Sequence, residues 1–244
     1  MSHTLFISDL HLSPQRPDIT QAFFTFIRAK ITSDCDALYI LGDFFEYWIG
    51  DDDHNSFNTS IINAIKSVSA RLPVYFIHGN RDFLIGETFA KSCNMTLLPE
   101  QLVINLYGRK TLILHGDSLC TLDTEYMKFR RKSRSKWWQT TMLMLPLFIR
   151  RKVAENARKK SQQSQQGKDM EILDVTPYEV INQMTKHQVD SMIHGHTHRP
   201  AMHFMDDNDP PTQRIVLGDW YEQGSYLIAS EGGNELVTMA FQPE

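Results

Sequence analysis

The stretch Ala37-Leu38-Tyr39-Ile40-Leu41-Gly42-Asp43 combines the pattern of a buried strand with a carboxylate at its end. Five consecutive apolar residues closed by a glycine predict a β-strand that is covered on both faces and ends in a turn. Open α/β folds bind their ligands beyond the carboxyl ends of parallel strands. The stretch therefore predicts that Asp43 stands at the edge of a sheet where a functional site forms.

Four other apolar runs also lead into Asp, His or Asn residues. They are followed by Asp9-Leu10-His11, Gly79-Asn80-Arg81, His115-Gly116-Asp117 and Gly195-His196-Thr197-His198. Segments with helical spacing, such as Ile19–Ile31 and Asn55–Arg71, separate the first runs and predict βαβ units. Asp18 is in position to cap the first of these helices.

The later apolar runs predict antiparallel pairing. Leu102–Leu106 and Thr111–Leu114 form a predicted hairpin through residues 107–110, so the sheet is mixed. Further antiparallel strands are predicted at Arg214–Leu217, Ser225–Ala229 and Glu235–Ala240. We therefore expect the α/β class.

Residues 122–187 differ in character from the rest of the chain, with little strand propensity and many charges. From Lys128 to Lys168, 13 Lys and Arg stand against one acidic residue, whereas the remainder holds 12 basic and 28 acidic residues. Such asymmetry indicates a surface that faces an anionic partner. We divide the chain into a core, residues 1–121 and 188–244, and a helical insertion, residues 122–187, that caps the core.

The composition is that of a globular protein, with 244 residues, 41% hydrophobic and 22% charged. Three widely spaced cysteines without a CxxC pair indicate free thiols in a reducing compartment. The longest apolar run, Met142–Ile149, is too short to span a bilayer, and no secretory signal is visible. We expect a cytoplasmic protein and a monomer.

The donors at the strand ends are suited to metal binding. Side chains at i and i+2 of an extended segment point the same way, so Asp9 with His11, and His196 with His198, reach adjacent positions. Oxygen and imidazole donors without thiolates favour Mn²⁺, Fe²⁺ or Zn²⁺ over soft metals. One tetrahedral ion cannot use seven donors, so we predict two ions bridged by Asp43. The predicted ligands are Asp9, His11, Asp43, Asn80, His115, His196 and His198.

These five blocks, in this order, resemble those of the calcineurin-like metallophosphoesterases. The resemblance implies a layered β-sandwich flanked by helices, and two Mn²⁺ ions, with Fe²⁺ or Mg²⁺ as alternatives. It assigns Asp9, His11, Asp43 and His198 to one ion and Asp43, Asn80, His115 and His196 to the other. It also implies catalytic roles for Asp43, Asn80, Arg81, His115 and His196.

More narrowly, Gly42–Asp51, His78–Phe83 and His194–Pro200 resemble the UDP-2,3-diacylglucosamine diphosphatase family of lipid A biosynthesis. That likeness implies cleavage of the pyrophosphate bond to UMP and 2,3-diacylglucosamine 1-phosphate. It places the attack of a metal-activated hydroxide on the phosphorus nearest uridine. The substrate contacts that it implies are Asn80, Arg81, Asp123, Ser161, Gln165, Lys168 and His196.

Several alternatives stay open at this point. The blocks specify metals and phosphate only, so a nuclease, a cyclic-nucleotide phosphodiesterase or a protein phosphatase competes, as does a metal-free scaffold. We favour the lipid enzyme, without nucleic acid as a partner. Asp117 and His194 either orient metal ligands or close turns. The run Asp51-Asp52-Asp53 is a metal cluster, a solvated loop or a helix start, and we favour the last two over the metal cluster.

The insertion carries a separate hypothesis about membranes. Its basic residues flank apolar helical stretches, which is typical of a helix that lies on an anionic bilayer. We therefore predict peripheral binding on the cytoplasmic face of the inner membrane. The alternatives are a solvated basic face and a small helical core around the aromatic and aliphatic residues of 137–149. The basic set comprises Arg130, Arg131, Lys132, Arg134, Arg150, Arg151, Lys152, Lys159 and Lys160.

Overall fold

A computed structural model of the 244-residue chain describes residues 1–165, 172, 174–205 and 211–241. Two β-sheets form its centre. The first sheet has the strand order β11-β10-β1-β2-β3-β4, and β1, β2, β3 and β4 are parallel neighbours. Its strands are β1 His3–Ile7, β2 Cys35–Ile40, β3 Val74–Phe76, β4 Thr96–Leu97, β10 Gln223–Ser230 and β11 Gly233–Ala240.

The second sheet has the order β5-β6-β7-β9-β8 and is also mixed. The β6, β7 and β9 strands are parallel, whereas β5 and β8 pair antiparallel at its edges. Its strands are β5 Gln101–Leu106, β6 Arg109–Leu114, β7 Ser191–His194, β8 Ala201–Phe204 and β9 Gln213–Val216. The mixed pairing that the sequence predicted is confirmed.

Seven α-helices lie within the described residues, together with a 3-10 turn at Asp117–Leu119. Three of them precede the second sheet, and four follow β6. They are α1 Pro17–Lys30, α2 Ser56–Ser69, α3 Glu87–Cys93, α4 Thr124–Ser133, α5 Lys136–Leu143, α6 Leu147–Gln165 and α7 Pro177–His187.

The two sheets pack face to face, as the predicted sandwich requires. Phe6 and Leu227 of the first sheet share one buried cluster with Ile113, Ile193 and Ile215 of the second. Residues of α1, α2 and α3 pack on the outer face of the first sheet, and Val180 and Met184 of α7 pack on the second. Two sheets covered by helices are the layered α/β fold that we expected.

Local details differ from the sequence prediction in three places. The prediction of Asp18 as a helix cap is wrong, because Arg16 is the cap residue and Pro17 is the first helical residue. The hairpin turn contains only Tyr107 and Gly108, both at positive φ, so its strands are longer than predicted. The strands β4, of two residues, and β8, of four residues, were not predicted from the sequence.

The insertion is helical over its described part. All residues of α5 are described, and none of them is fully buried. Helix α7 differs, because its apolar face is buried against the second sheet. Whether residues 122–187 form a unit separate from the core stays a prediction.

Candidate metal centre and substrate cavity

Backbone hydrogen bonds join the loops that follow the strands. The N–H groups of Asp9 and His11 donate to the carbonyls of Gly42 and Asp43, each at 3.0 Å. The N–H of Gly195 donates to His115 O at 2.8 Å, which joins the loops after β6 and β7. His115 Nδ1 donates to Leu41 O at 2.8 Å, which joins these loops to the end of β2. The carboxyl ends of β1, β2, β6 and β7 thus converge on one place.

The backbone of the site is strained at its functional residues. Eight described non-glycine residues have positive φ, and five of them are predicted metal ligands. Side chains with a Cβ rarely adopt this region, and such conformations cluster at functional sites. The five are Asp9, His11, Asp43, His196 and His198, with φ between 49° and 70°.

Glycine is required where two of the loops cross. A Cβ on Gly42, which has a φ of 86°, would collide with the backbone of Gly79. A Cβ on Gly79 would collide in turn with the backbone of Asp43. The close approach of these loops places Asp43 beside Asn80 and explains both glycines.

A first group of ligand atoms contains Asp9, His11 and His198, whose donor atoms lie within 4.8 Å of one another. The two imidazole Nε2 atoms are 3.3 Å apart, and His198 Nε2 is 3.4 Å from Asp9 Oδ1. That Asp9 oxygen is buried and has no hydrogen-bond partner among the described residues. A buried carboxylate oxygen without a partner is costly, and a cation would satisfy it.

A second group contains Asp43, His115 and His196, again within 4.8 Å. His115 Nδ1 donates to Leu41 O at 2.8 Å, which turns Nε2 towards the site. His115 Nε2 lies 3.0 Å from Asn80 Oδ1 and 3.6 Å from Asp43 Oδ1. The structure therefore brings together all seven residues that were predicted as ligands.

Burial and neighbouring charges shift the pKa values of these groups. Burial raises the pKa of Asp43 to about 7, whereas burial and the charge of His115 lower the pKa of His196 to about 3. Burial lowers the pKa of His198, but its contacts with Asp219 and Asp9 outweigh burial and raise it to about 10. A cation that binds here displaces the protons held by Asp43 and His198.

The donor set fits divalent cations. Carboxylate oxygens, imidazole nitrogens and the amide oxygen of Asn80 surround two adjacent positions, and the partnerless Asp9 oxygen faces one of them. Calcineurin-like enzymes bind divalent metals, and these donors suit Mn²⁺, Fe²⁺ and Mg²⁺ alike. The individual ligand roles stay predictions.

Four residues that support the site were not predicted as functional. Asp82 is fully buried and accepts hydrogen bonds from Phe44 N at 2.7 Å and Gly79 N at 2.8 Å, which joins two loops. Glu46 contacts His11, Asp219 contacts His198, and Tyr221 stacks on His11. The signal for Asp219 was present, since Leu217-Gly218-Asp219 repeats the pattern of Leu41-Gly42-Asp43.

Asp117 and His194, predicted either to orient metal ligands or to close turns, have partners within the protein. Asp117 accepts a hydrogen bond from Tyr126 Oη at 2.6 Å and pairs with Arg130 at 2.9 Å, which attaches α4 to the site. His194 Nδ1 donates to Gly195 O at 2.8 Å, and Arg214 Nη1 donates to His194 Nε2 at 3.2 Å. Both residues are therefore occupied by protein partners.

A cavity of 1070 Å³ extends from the metal groups to the helices α4, α5 and α6. Asp43, His196 and His198 line its inner end, and Asn80, Arg81, Asp123 and Ser161, which were predicted to contact substrate, also line it. Apolar residues cover much of the remaining wall, among them Phe83, Phe129, Trp138, Met142 and Val153. Lys168 and the side chain of Gln165 lie outside the described residues.

The basic residues of the insertion divide into two sets. Arg130 and Arg134 pair with Asp117, and the buried Arg150 pairs with Asp52, so these three do not form a solvated or lipid-facing surface. The others are exposed. They are Arg131, Lys132, Arg151, Lys152, Lys159 and Lys160.

The acidic run 51–53 serves local structure. Asp51 accepts hydrogen bonds from Gly86 N and Phe89 N, each at 2.9 Å, and thus satisfies the start of α3. Asp52 and Asp53 pair with Arg150 and Arg151 of α6. Because each carboxylate has a protein partner, a helix-start role describes Asp51 better than a metal cluster or a solvated loop does.

The three cysteines are buried, as predicted, and carry free thiols. Burial raises the pKa of Cys35 to about 11 and that of Cys93 to about 12. No helix in the described part of the chain is long and apolar enough to cross a membrane.

Comparison with solved structures supports the fold. A hypothetical protein of Pyrococcus horikoshii superimposes with a TM-score of 0.52 over 99% of this chain and 89% of its own, at 11% identity. The likeness at this level of identity concerns the fold alone.

Sequence comparison is more specific. A protein of Shewanella pealeana named UDP-2,3-diacylglucosamine hydrolase is 53% identical over 98% of both chains. A protein of Escherichia coli with the same name is 49% identical over 98% of this chain and 99% of its own. The family model for calcineurin-like phosphoesterases matches residues 2–200. The chain therefore belongs to the calcineurin-like phosphoesterase family, and its curated relatives are hydrolases.

Proposed function

We propose that this enzyme hydrolyses the pyrophosphate bond of UDP-2,3-diacylglucosamine to UMP and 2,3-diacylglucosamine 1-phosphate. The names of relatives that are about half identical over nearly the full chain support this substrate. One observation carries the proposal: a single cavity joins the metal groups to an apolar wall. Such a cavity suits a substrate with a diphosphate at one end and acyl chains at the other.

The size of the cavity agrees with this substrate. Pockets for drug-sized ligands occupy about 300–1,000 Å³. The 1070 Å³ cavity exceeds that range, as a nucleotide sugar with two acyl chains requires. Burial of each methylene group contributes about 0.8 kcal/mol, so even short acyl segments add substantially to binding.

The chain supplies positioning and charge at the inner end of the cavity. Two bound divalent ions would supply an activated water and neutralise charge on the phosphate oxygens. The Arg81 side chain is largely buried, with Nε 3.8 Å from Asp43 Oδ2, and its planar guanidinium can hold two phosphate oxygens. Its backbone N–H separately fixes Asp43 Oδ1 at 2.8 Å. Four further residues surround the reacting centre beside Arg81. They are Asp43, Asn80, His115 and His196.

We infer attack of water on the phosphorus nearest uridine. The bond from that phosphorus to the bridging oxygen breaks, and the oxygen leaves on 2,3-diacylglucosamine 1-phosphate. Because this leaving group is a phosphate monoester, no strong general acid is needed. Burial lowers the pKa of His194 to about 4 and that of His196 to about 3, so both are neutral at pH 7.

The helices α5 and α6 carry the proposed membrane contact. Trp137 near the start of α5 is 71% exposed, and Met144 and Phe148 at the corner between α5 and α6 are 80% and 72% exposed. Arg151 and Lys152 follow directly on α6 and are exposed. Exposed aromatic and aliphatic side chains beside cations suit an anionic bilayer surface. We propose that residues 122–187 cap the core and bind the cytoplasmic face of the inner membrane.

The test is release of UMP from UDP-2,3-diacylglucosamine in detergent micelles, with and without Mn²⁺. We expect turnover that requires the metal and disappears in Asp43→Ala. Cleavage of bis-p-nitrophenyl phosphate without release of UMP would reject the lipid substrate and favour another phosphoesterase. Absence of both reactions in a folded protein that binds Mn²⁺ would favour a scaffold without catalysis.

A further inference from the structure

The second nitrogen of each histidine ligand needs its own partner. An imidazole that gives Nε2 to a cation carries its proton on Nδ1, and an acceptor at that N–H fixes the ring and raises its basicity. This inference rests on the metal-dependent function proposed above. The groups that face the Nδ1 atoms of the histidines differ between the two metal groups.

In the second group the acceptor known is that of His115, and it is a backbone carbonyl. His115 Nδ1 donates to Leu41 O at 2.8 Å, at the end of β2. This neutral acceptor fixes the orientation of the ring and adds no formal charge.

In the first group the nearest groups to Nδ1 are carboxylates. His11 Nδ1 lies 3.4 Å from Glu46 Oε2 without a hydrogen bond between them, and His198 Nδ1 lies 3.2 Å from Asp219 Oδ2. The two rings direct their Nε2 atoms to one position, where these atoms are 3.3 Å apart. A carboxylate behind a histidine ligand makes the imidazole a stronger donor to the metal.

Both carboxylates are themselves held in place. The other oxygen of Glu46 forms an ion pair with Arg158 of α6. Asp219 Oδ1 accepts the backbone N–H of Tyr221 at 3.2 Å. The ring of Tyr221 lies parallel to that of His11, with centroids 5.2 Å apart and an angle of 3° between planes.

The charge around the two groups also differs. The first group has three carboxylates, Asp9, Glu46 and Asp219, against the guanidinium of Arg158. Around the second group the carboxylates of Asp43, Asp82 and Asp117 face three guanidinium groups. Arg81 lies beside Asp43, and Arg130 and Arg134 pair with Asp117. A divalent cation is attracted more strongly to the first group.

We propose that Glu46 and Asp219 are positioning residues that make the group of Asp9, His11 and His198 the tighter metal site, which fills first. The group of Asp43, His115 and His196 fills second. Neither carboxylate is a ligand in this proposal, because each acts through the imidazole that it contacts.

The test is a titration of the metal-free full-length protein with Mn²⁺, in which electron paramagnetic resonance measures the free ion. We expect two sites whose dissociation constants differ by about 10-fold or more. His11→Ala should remove the tighter site and His115→Ala the weaker one. Equal sites in the unmodified protein, or the opposite assignment by these two variants, would overturn the proposal.

Two further variants test the positioning residues independently. Loss of such a partner typically weakens metal binding about 10- to 100-fold, so Glu46→Gln and Asp219→Asn should each weaken the tighter site by that factor. The dissociation constant of the weaker site should change by less than about two-fold. Glu46→Asp, which keeps the charge, should restore part of the affinity.

Glu155→Gln is the matched control, because Glu155 is exposed on the same helix as Arg158. It should leave both dissociation constants unchanged, and circular dichroism of each metal-free variant checks its fold. Unchanged affinity in folded Glu46→Gln and Asp219→Asn would contradict the proposal. The titration contains no substrate, so its failure is distinguishable from a failure to release UMP.

Discussion

The two ends of the cavity are built by different physical means. The metal end consists of the loops after β1, β2, β3, β6 and β7, where Asp9, Asp43 and His115 are almost completely buried. The helical end consists of α4, α5 and α6, where several large apolar side chains are exposed. A reacting centre must hold its groups within fractions of an ångström, whereas an acyl chain accepts a wall of approximate shape.

Ion pairs connect the two ends. Asp117 at the metal end pairs with Arg130 and Arg134 of the helical end, and Glu46 pairs with Arg158. Apolar contacts add to these ion pairs, because Trp138 and Met142 of α5 pack against the core beneath the first sheet. Substitutions at each end, and in the ion pairs between them, test this division.

The largest effect is expected at the metal end, for Arg81→Ala. Loss of a preorganised contact to developing charge typically costs about 10²- to 10³-fold in kcat. Because Asp43 is fixed by the backbone N–H of residue 81, Mn²⁺ binding should be unchanged. Steady-state release of UMP together with an Mn²⁺ titration measures both effects. Arg81→Lys should lose less activity, and a loss of metal binding in Arg81→Ala would contradict this division of roles.

The connection between the ends should respond to Asp117→Asn. Removing one partner of a buried ion pair costs about 3 kcal/mol or more, so the free energy of unfolding should fall by about that amount. Denaturant unfolding measures it. Glu125→Gln removes an exposed pair with Lys128 on the same helix and should leave stability unchanged. If Asp117→Asn and Glu125→Gln had equal free energies of unfolding, the buried ion pairs of Asp117 would not stabilise the fold.

The same network predicts a pH dependence. Burial alone would raise the pKa of Asp117, but the charges of Arg134, His115 and Arg130 outweigh burial and hold it well below its usual range. A depressed pKa in the folded state stabilises the protein above the unfolded pKa of about 4. That stabilisation is lost as the pH falls below about 4. The difference in unfolding free energy between the unmodified protein and Asp117→Asn should therefore shrink in acid.

A smaller effect is expected from Trp138→Ala at the helical end. Trp138 lines the cavity and packs on Phe83, with ring centroids 5.9 Å apart. Its loss should raise KM for the diacylated substrate about 10-fold, because apolar contact with the substrate decreases. Cleavage of bis-p-nitrophenyl phosphate should not change. Equal losses on both substrates would place Trp138 in the reacting centre instead.

The smallest effect is expected for Phe148→Glu at the exposed corner of α5 and α6. The substitution removes apolar surface and adds a negative charge, so partitioning onto anionic vesicles should fall several-fold. Sedimentation with vesicles measures it. Phe204→Glu on β8 of the core, where Phe204 is 60% exposed, is the matched control and should bind as the unmodified protein does. Equal binding by both variants would reject the proposed contact surface.

The two ends also differed in how well the sequence predicted them. Parallel strands end at one edge of a sheet, so the runs before Asp9, Asp43, Asn80, His115 and His196 predicted their convergence. Glu46 and Arg158 escaped prediction, because an ion pair between residues 112 positions apart leaves no local pattern. The burial of Arg150 was also missed, because the side chains of a basic helix are usually solvated.

The most direct measurement compares kcat/KM for UDP-2,3-diacylglucosamine with that for UDP-N-acetylglucosamine, which has the same diphosphate without the acyl chains. The account predicts a preference of about 100-fold or more for the diacylated substrate, because only that substrate buries methylene groups at the helical end. The ratio of the two kcat/KM values should be smaller in Trp138→Ala than in the unmodified protein. Equal kcat/KM for the two substrates would contradict the claim that the helical end selects acyl chains for the metal end.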